Sequence, residues 1–344
     1  MSATRPLVVV SERLGAIGPE EERIAQAGAE LRSVALWSHE EIAANAGDAE
    51  IVLLGAVEPF DGRALSSLPR CRAVVRRGVG VDNVEVGAAT RLGILVANVP
   101  DASVEEVSDH ALALLFAIER RIVPLDRAVH AGEWQRDPKA IGTVRNGIRR
   151  LSELTLGVVG FGRIGRALAR KAAGAYGRML VADPIAPAAA VREASAELVP
   201  LDELLGTADH ITLHAPLEAG TRHLIGPDSI ARLRPGVVIV NTARGGLIDE
   251  AALLAGLREG RIAAAGLDVT EHEPLPEGDP LLTAAGVVLT AHSAASSATA
   301  SDELARRSVD AVVAILEGRQ PASIVNREVL EVAALRAAGL RPPG

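Results

Sequence analysis

The sequence predicts an α/β protein made of two doubly wound parallel-sheet domains. Two observations support this prediction. Short apolar runs alternate with helical patterns along most of the chain, and this alternation is typical of βα units that build parallel sheets. The alternation stops once, at a long helical segment, and then starts again, while 344 residues exceed the size of one typical core. We therefore expect two domains rather than one.

The first series contains five predicted strands and ends near residue 100. The strands lie in PLVVV, LRSVALW, AEIVLLG, CRAVVRRG and GILVANV, with helical patterns such as PEEERIAQAG and HEEIAANAG between them. SVEEVSDHALALLFAIERR then predicts one long helix, with Ser103 as its N-cap and acidic residues in its first turn. A polar and poorly periodic stretch, 122–150, follows this helix.

The second series contains seven predicted strands and makes a complete doubly wound sheet of its own. They lie in LTLGVVG, RMLVADP, AELVP, HITLHAPL, VVIVNTA, IAAAGLDV and VVLTAH. The last helical pattern is SATASDELARRSVDAVVAILEG. Because a doubly wound unit is already complete by Val99, this helix is expected to return to the first domain. The predicted domains are 1–100 with 296–330, and 101–295, while 331–344 form a tail.

Composition and charge exclude several classes of partner. A net charge of −8 and an aromatic content of 2% disfavour a nucleic acid, which needs cationic surface and stacking side chains. No apolar run reaches the roughly 18 residues of a membrane span, and the N-terminus lacks a signal-peptide core. The single cysteine, Cys71, is interpreted as a small apolar core residue. These observations predict a soluble, cytoplasmic protein with no membrane partner.

VVGFGRIG opens the second series with three glycines, Gly160, Gly162 and Gly165, directly after a predicted strand and at the start of a helix. Alone the pattern is weak in a chain with 33 glycines, and a purely structural turn is the alternative. The context favours a dinucleotide, whose pyrophosphate needs a tight turn and a helix N-terminus. Asp183, 18 residues after Gly165, ends the next strand and can accept hydrogen bonds from the ribose. No cation follows in PIAPAAAV, so we predict NAD rather than NADP.

Chemically active side chains follow the later predicted strands, at the edge of the sheet where ligands bind. An arginine, Arg244, can hold a carboxylate through two parallel hydrogen bonds. A histidine, His292, can give and take a proton near neutral pH, and Glu273 could favour its charged form. His210 and His214 would lie about 13 Å apart on a strand, so a shared metal ion is not expected.

These motifs resemble those of a known family. NTARGGLIDE, LDVTEHEP and LTAHSAAS, in that order after GFGRIG and ADP, resemble the D-isomer-specific 2-hydroxyacid dehydrogenases. The resemblance extends to RRGVGVDNVEVGAATRLGILVANVPDASVEEVSDHAL in the first half. It implies a Rossmann NAD-binding domain inserted into a flavodoxin-like substrate domain, a catalytic cleft between the two, and a homodimer formed through segment 103–150.

The resemblance assigns roles to individual positions. It implies that Arg244 binds the substrate carboxylate, that His292 transfers the proton and that Glu273 pairs with this histidine. The implied contacts to NAD are Gly160, Gly162, Arg163, Ile164, Gly165, Asp183, His214, Ala215, Thr242, Ala243 and Asp268. The implied substrate contacts of the first domain are Val79 and Gly80, and Arg76 is a further candidate. Arg76 and Arg77 could equally be solvated at a strand end, and either one in the site would favour a substrate with a second anionic group.

Within the family, VVRRGVGVDNV and NVPDASVEEVSD look most like the branch that contains the C-terminal-binding-protein corepressors and their bacterial dehydrogenase relatives. The chain differs from many members in having Ala291 before the histidine, and from the corepressors in having Ala295 in place of a tryptophan. The predicted function is NAD-dependent interconversion of a D-2-hydroxy acid and its 2-oxo acid. The alternatives are an NADH-sensing, corepressor-like binding protein and a phosphite dehydrogenase.

Two further residues of segment 103–150 carry predictions. His110 lies within the long predicted helix, and we interpret it as packed against the core or placed at a dimer contact. Trp134 is expected to anchor its segment against a dimer partner, with simple core packing as the alternative.

Overall fold

The computed structural model describes residues 5–15, 18, 20–332, 335–336 and 339–342. The chain divides into two compact units, Met1–Ala102 with Ser297–Gly344, and Ser103–Ser296, called here the first and second units. Within the predicted tail, residues 333, 334, 337, 338, 343 and 344 lie outside the described residues.

The first unit contains a five-stranded sheet in the order β2-β1-β3-β4-β5, and every neighbouring pair is parallel. This order is that of flavodoxin-like folds, and the five strands confirm the prediction. Every residue of β1 and β3 is buried, as expected for strands that are covered on both faces of the sheet. The elements are β1 Leu7–Ser11, α1 Glu20–Gln26, β2 Glu30–Val34, α2 His39–Ala46, β3 Ile51–Leu54, α3 Gly62–Ser66, β4 Ala73–Arg76, α4 Val86–Arg91 and β5 Leu95–Asn98.

The second unit begins with four helices, α5 Val104–Glu119, α6 Ile122–His130, α7 Glu133–Arg136 and α8 Pro138–Arg145. Ser103 precedes α5 as predicted, but its hydroxyl makes no capping hydrogen bond. The predicted irregular stretch therefore contains three short helices. Periodicity did not reveal them because several of their apolar side chains are exposed, including Ile122, Val129 and Trp134.

A seven-stranded parallel sheet forms the rest of the second unit, in the order β12-β11-β10-β9-β6-β7-β8, which confirms the predicted number of strands. Chain order reverses at the neighbours β6 and β9, and in such sheets ligands bind beyond the carboxyl ends of the strands. The elements are β6 Thr155–Val159, α9 Arg163–Ala172, β7 Arg178–Ala182, α10 Ala188–Glu193, β8 Glu197–Leu198, α11 Leu201–Thr207, β9 His210–Leu213, α12 Pro227–Arg232, β10 Val237–Asn241, α13 Glu250–Arg258, β11 Ile262–Leu267 and β12 Val287–Leu289.

The last helix, α14 Ala298–Leu316, packs in the first unit. Ser297 caps it by accepting a hydrogen bond from the backbone N–H of Ala300, at 2.9 Å. Val309 and Val312 lie in one apolar cluster with Val8 of β1. The same unit buries Cys71 as a free thiol, which confirms its role as a core residue, and burial raises the pKa of this thiol to about 12. Among the described residues, no helix combines the length and apolarity needed to span a bilayer.

Candidate active site

The glycine turn after β6 packs so closely that side chains are excluded at two of its three glycines. A Cβ on Gly160 would lie 2.7 Å from the backbone N of Ala215, and the φ of Gly160 is 89°. A Cβ on Gly165 would lie 2.2 Å from the carbonyl oxygen of Gly160, so helix α9 sits directly against the strand end. Gly162 has nothing within 4 Å on that side and is the N-cap of α9. The open backbone at a helix start fits a pyrophosphate.

Asp183 ties the end of β7 to this turn. Its carboxylate accepts hydrogen bonds from the backbone N–H of Phe161 at 2.7 Å and of Ile185 at 2.9 Å. Each oxygen keeps further lone pairs that could accept from ribose hydroxyls. Arg163 is exposed and Ile164 is half-buried, while Arg166, which the sequence did not single out, donates to the carbonyl oxygen of Phe161.

Two predicted NAD residues carry buried polar atoms that lack a hydrogen bond to any residue that the structure describes. They are Nδ1 of His214, after β9, and the hydroxyl of Thr242, after β10. The Nε2 atom of His214 lies 3.0 Å from the hydroxyl of Thr212, and burial lowers the pKa of His214 to about 4, so its ring is neutral. Buried polar atoms are normally paired, so these two fit a site that receives a polar ligand.

An asparagine shapes the loop that carries Arg244. The side chain of Asn241, fully buried at the end of β10, donates to the carbonyl oxygen of Arg244 at 2.8 Å and accepts from the N–H of Ala243 at 3.0 Å. The half-buried Arg244 donates to the carbonyl oxygen of Ala243 at 2.6 Å. The sequence prediction missed Asn241, although an asparagine that ends an apolar strand is a recognised turn signal.

The next residue, Gly245, brings the arginine loop against the loop after β11. A Cβ on Gly245 would lie 2.0 Å from the carbonyl group of Thr270. Thr270 in turn donates its backbone N–H to Oε1 of Glu273 at 3.0 Å. The two loops are therefore in direct backbone contact beside the carboxylate that was predicted to pair with the histidine.

The structure brings His292 and Glu273 together, with Nδ1 of the histidine 2.6 Å from Oε2 of the glutamate. The hydrogen bond to Glu273 raises the pKa of His292 more than burial and the charge of Arg244 lower it. Burial would raise the pKa of Glu273, but the hydrogen bonds from His292 and Thr270 lower it. Nε2 of His292 makes no hydrogen bond with any residue within the described ranges. The arrangement favours a His292 ring that is protonated on both nitrogens, with the N–H of Nε2 directed away from Glu273.

Asp268 holds the loop that carries this histidine. Its backbone carbonyl accepts from the N–H of His292 at 2.8 Å, and the φ of His292 is 48°. Its buried carboxylate accepts from the N–H groups of Ser293 and Ala294 at 2.9 and 3.0 Å, and from the hydroxyl of Thr290 at 2.5 Å. The contact of Asp268 with NAD stays a prediction.

The predicted substrate residues of the first unit lie in the loop after β4. The guanidinium of Arg76 folds over Gly78 and donates to the carbonyl oxygen of Arg77 at 3.0 Å. Arg77 donates to the carbonyl oxygens of Leu14 and Ser301 at 3.2 and 3.1 Å, so it holds together segments of its own unit. Val79 is 40% exposed and Gly80 is half-buried.

Residues 112–294 match the family described as D-isomer specific 2-hydroxyacid dehydrogenase, NAD binding domain. The chain belongs to this family. It is 39% identical over 300 residues to a glyoxylate reductase of Korarchaeum cryptofilum, with 86% of each chain covered. It is 37% identical over 322 residues to a D-3-phosphoglycerate dehydrogenase of Mycobacterium bovis, which covers 93% of this chain but only 59% of that longer relative.

A solved structure of a D-lactate dehydrogenase from Aquifex aeolicus, in complex with NAD and lactic acid, superposes with a TM-score of 0.81. The two share 26% identity over 90% of this chain and 96% of the other. The prediction of an NAD-dependent D-2-hydroxyacid dehydrogenase with two parallel-sheet domains is thus confirmed. The corepressor branch stays a prediction. Among the described residues, no group of three His, Cys, Asp or Glu side chains is placed to hold a metal ion.

Proposed function

We propose that this dehydrogenase reduces a small 2-oxo acid to the D-2-hydroxy acid with Arg244 as carboxylate clamp and the His292–Glu273 pair as acid/base. The observation that carries this assignment is the 2.6 Å contact from Nδ1 of His292 to Glu273, which directs the other ring nitrogen away from the glutamate. Arg244 and His292 follow two strands of the same sheet, at the edge where ligands bind.

The proton moves at Nε2 of His292. In the reducing direction, the protonated ring donates from Nε2 to the carbonyl oxygen of the substrate, while Nδ1–H stays hydrogen-bonded to Glu273. In the oxidising direction, the neutral ring accepts the hydroxyl proton at the same atom. Because the pKa of His292 is raised, the acid form is available at higher pH than for an ordinary histidine. NAD supplies or accepts the hydride when it is bound.

Arg244 would fix the orientation of the substrate. Two parallel hydrogen bonds from a guanidinium to a carboxylate hold the carbonyl carbon in one position. The turn formed by Asn241 supports this role because it fixes the backbone from which the guanidinium extends. The guanidinium of Arg244 would bind phosphite in the same way, so an activity assay is needed to distinguish a phosphite dehydrogenase from a 2-hydroxyacid dehydrogenase.

The dinucleotide is proposed to lie along the carboxyl ends of β6, β7 and β9. Its pyrophosphate would bind at the start of α9, beside Gly162 and Arg163, and Asp183 would accept from the adenosine ribose. Ile164, His214, Ala215, Thr242 and Ala243 are proposed to complete the site. The segment after Asp183 contains no cation before Arg192, which supports NAD over NADP.

Glyoxylate is the proposed first substrate, because the relative that matches along 86% of its own length is a glyoxylate reductase. The second candidate is 3-phosphoglycerate. It is favoured by Arg76, a half-buried guanidinium in the loop that is proposed to contact substrate through Val79 and Gly80. A second cation there would select a second anionic group.

The proposed assembly is a homodimer formed through segment 103–150. Ile122, Val129 and Trp134 are 53%, 39% and 58% exposed in the chain, and such apolar groups on one segment are typical of subunit contacts. Sedimentation should give twice the chain mass of 35.7 kDa, and Trp134→Ala should shift the equilibrium towards the single chain. The proposed location is the cytoplasm, with neither nucleic acid nor membrane as a partner.

The test follows NADH absorbance while purified protein is offered glyoxylate, hydroxypyruvate, pyruvate and phenylpyruvate, or phosphoglycerate and phosphite with NAD. Arg244→Ala should lower kcat/KM by about 10²- to 10³-fold, since two charge-assisted hydrogen bonds are lost. Arg258→Ala, at the exposed end of α13, is the matched control and should not change turnover. If the protein binds NADH but reduces none of these acids, the proposal is wrong and the NADH-sensing alternative gains support.

A further inference from the structure

The loop that carries His292 is held from behind by a chain of hydrogen bonds that ends on helix α5. Asp268, 3% exposed, provides three acceptors to this loop. Its backbone oxygen accepts from the N–H of His292, and its two carboxylate oxygens accept from Ser293 and Ala294. Three successive backbone amides, beginning at the histidine itself, are thus fixed to one buried residue.

The ionised state of the Asp268 carboxylate determines which atoms donate in this series of hydrogen bonds. Burial would raise the pKa of Asp268, but hydrogen bonds from Thr290, Ser293 and Ala294 lower it, so the carboxylate is ionised and can only accept. The hydroxyl of Thr290, at 2.5 Å, therefore donates its single proton to Asp268. The same hydroxyl lies 2.9 Å from Nε2 of His110, and it must accept there. His110 consequently carries a hydrogen on Nε2.

Helix α5 gives His110 a fixed position. Ala111, Leu114 and Leu115 lie in one apolar cluster with Leu156 of β6 and Val240 of β10. The side chain of His110 is 25% exposed and lies 3.5 Å from Oδ1 of Asp268. The ring is therefore held between the packed helix and the loop after β12.

We propose that His110 is a positioning residue, which orients Thr290 and through it the Asp268 carboxylate that fixes the two backbone amides directly after His292. This inference rests on the proposed acid/base role of His292. His110 itself is not assigned a contact with substrate or cofactor. Its contribution is to keep the His292 ring aligned with Glu273, because a shift of the backbone at His292 would misalign Nδ1 and the carboxylate.

The first experiment compares matched pairs of variants. His110→Phe and Thr290→Val remove the hydrogen bond, while His110→Gln and Thr290→Ser retain a donor and a hydroxyl. We expect the first pair to lower kcat by about 10-fold or more with KM within about 2-fold, since His110→Phe removes one hydrogen bond of a charged network and Thr290→Val removes that bond and the one to Asp268. The conservative pair should restore kcat. The variant that combines His110→Phe with Thr290→Val should be no slower than Thr290→Val alone, because both residues act through the same series of hydrogen bonds.

The second experiment does not depend on turnover. The pKa of His292 is measured by NMR with labelled histidine, and its signal is assigned with His292→Gln. In His110→Phe and Thr290→Val this pKa should fall towards the ordinary histidine value, whereas in His110→Gln it should not. An unchanged pKa in both disruptive variants, or losses of kcat that multiply in the double variant, would overturn the proposal. A wild-type protein that reduces no acid would contradict the proposed function. The NMR measurement of the His292 pKa would still decide the role of His110.

Discussion

Two histidine–glutamate pairs lie at opposite ends of the strands in the parallel sheet of the second unit. His292 and Glu273 meet at the carboxyl ends of the strands, 2.6 Å apart, with side chains that are 49% and 36% exposed. His210 and Glu119 meet at the amino end of β9, 2.9 Å apart, with side chains that are 0% and 4% exposed. The chemistry of the two pairs is the same, but their surroundings differ.

The difference lies in the second ring nitrogen. Nδ1 of His210 lies 2.8 Å from the hydroxyl of Tyr176, and Glu119 also accepts from the guanidinium of Arg149 at 2.8 Å. Both nitrogens of this ring are therefore hydrogen-bonded inside the fold, whereas Nε2 of His292 makes no hydrogen bond with the residues that the structure describes. A histidine–glutamate pair stabilises the fold when both ring nitrogens are hydrogen-bonded to other residues. It can exchange a proton with a substrate when one ring nitrogen makes no such hydrogen bond.

Of the variants that test this comparison, His292→Gln should have the largest effect on turnover. The variant loses the proton donor at the substrate, and kcat should fall by about 10²- to 10⁴-fold. NADH binding, measured by fluorescence titration, and the free energy of unfolding should stay close to those of the wild type, because the ring is half exposed. A variant with near-normal turnover would remove His292 from the acid/base role.

Glu119→Ala should show the opposite pattern. The variant breaks a buried ion pair, because Arg149 then keeps only Asp209, at 3.2 Å, among the described carboxylates, and Nε2 of the buried His210 loses its carboxylate partner; breaking such a pair typically costs about 3–5 kcal/mol. Urea denaturation should register this loss, while kcat at a temperature where the variant is folded should change less than about 3-fold. A stable but inactive variant would contradict the assignment of this pair to the fold.

The same pair sets a pH dependence of stability. Burial would raise the pKa of Glu119, but hydrogen bonds from His210 and Arg149 lower it to about 2. Its folded pKa is thus below the unfolded value of about 4.3, so its stabilising contribution is complete above that pH and is lost as the pH falls towards 2. Glu119→Gln should flatten the decline of unfolding free energy over this range in urea titrations.

Glu273→Gln should have a smaller, directional effect. The hydrogen bond to Glu273 raises the pKa of His292, so reduction by the wild type should decline only as the pH rises through this raised value. Without the negative charge, the imidazolium is less favoured and the decline should move to lower pH. The pH profile of kcat for glyoxylate reduction measures this shift, and an identical profile would leave Glu273 with a structural role only.

Tyr176→Phe is expected to be the mildest change. It leaves Nδ1 of the buried His210 without its partner, which costs about 1–3 kcal/mol of unfolding free energy. Turnover should not change. A loss as large as that of Glu119→Ala would mean that the tyrosine, rather than the ion pair, dominates this edge.

Sequence patterns located Arg244 and His292 because each lies three residues after a strand, and strand ends can be predicted from apolar runs. The supporting contacts were missed for a physical reason. His110 and Thr290 are separated by 180 positions, and His210 and Glu119 by 91, so their contacts depend on how helix α5 packs. Only Asn241, whose partners lie within three residues, left a local signal.

Gly245 determines how this enzyme can diverge. The backbone there is so close to Thr270 that one methyl group would not fit, and the loops with Arg244 and Glu273 are therefore packed directly against each other. A lineage that adapts to a larger acid cannot widen the spacing of these two groups without disturbing both. If Arg244 and Glu273 act as proposed, we expect substitutions that change the substrate at positions that contact the remainder of the acid, while the two reacting groups keep their spacing.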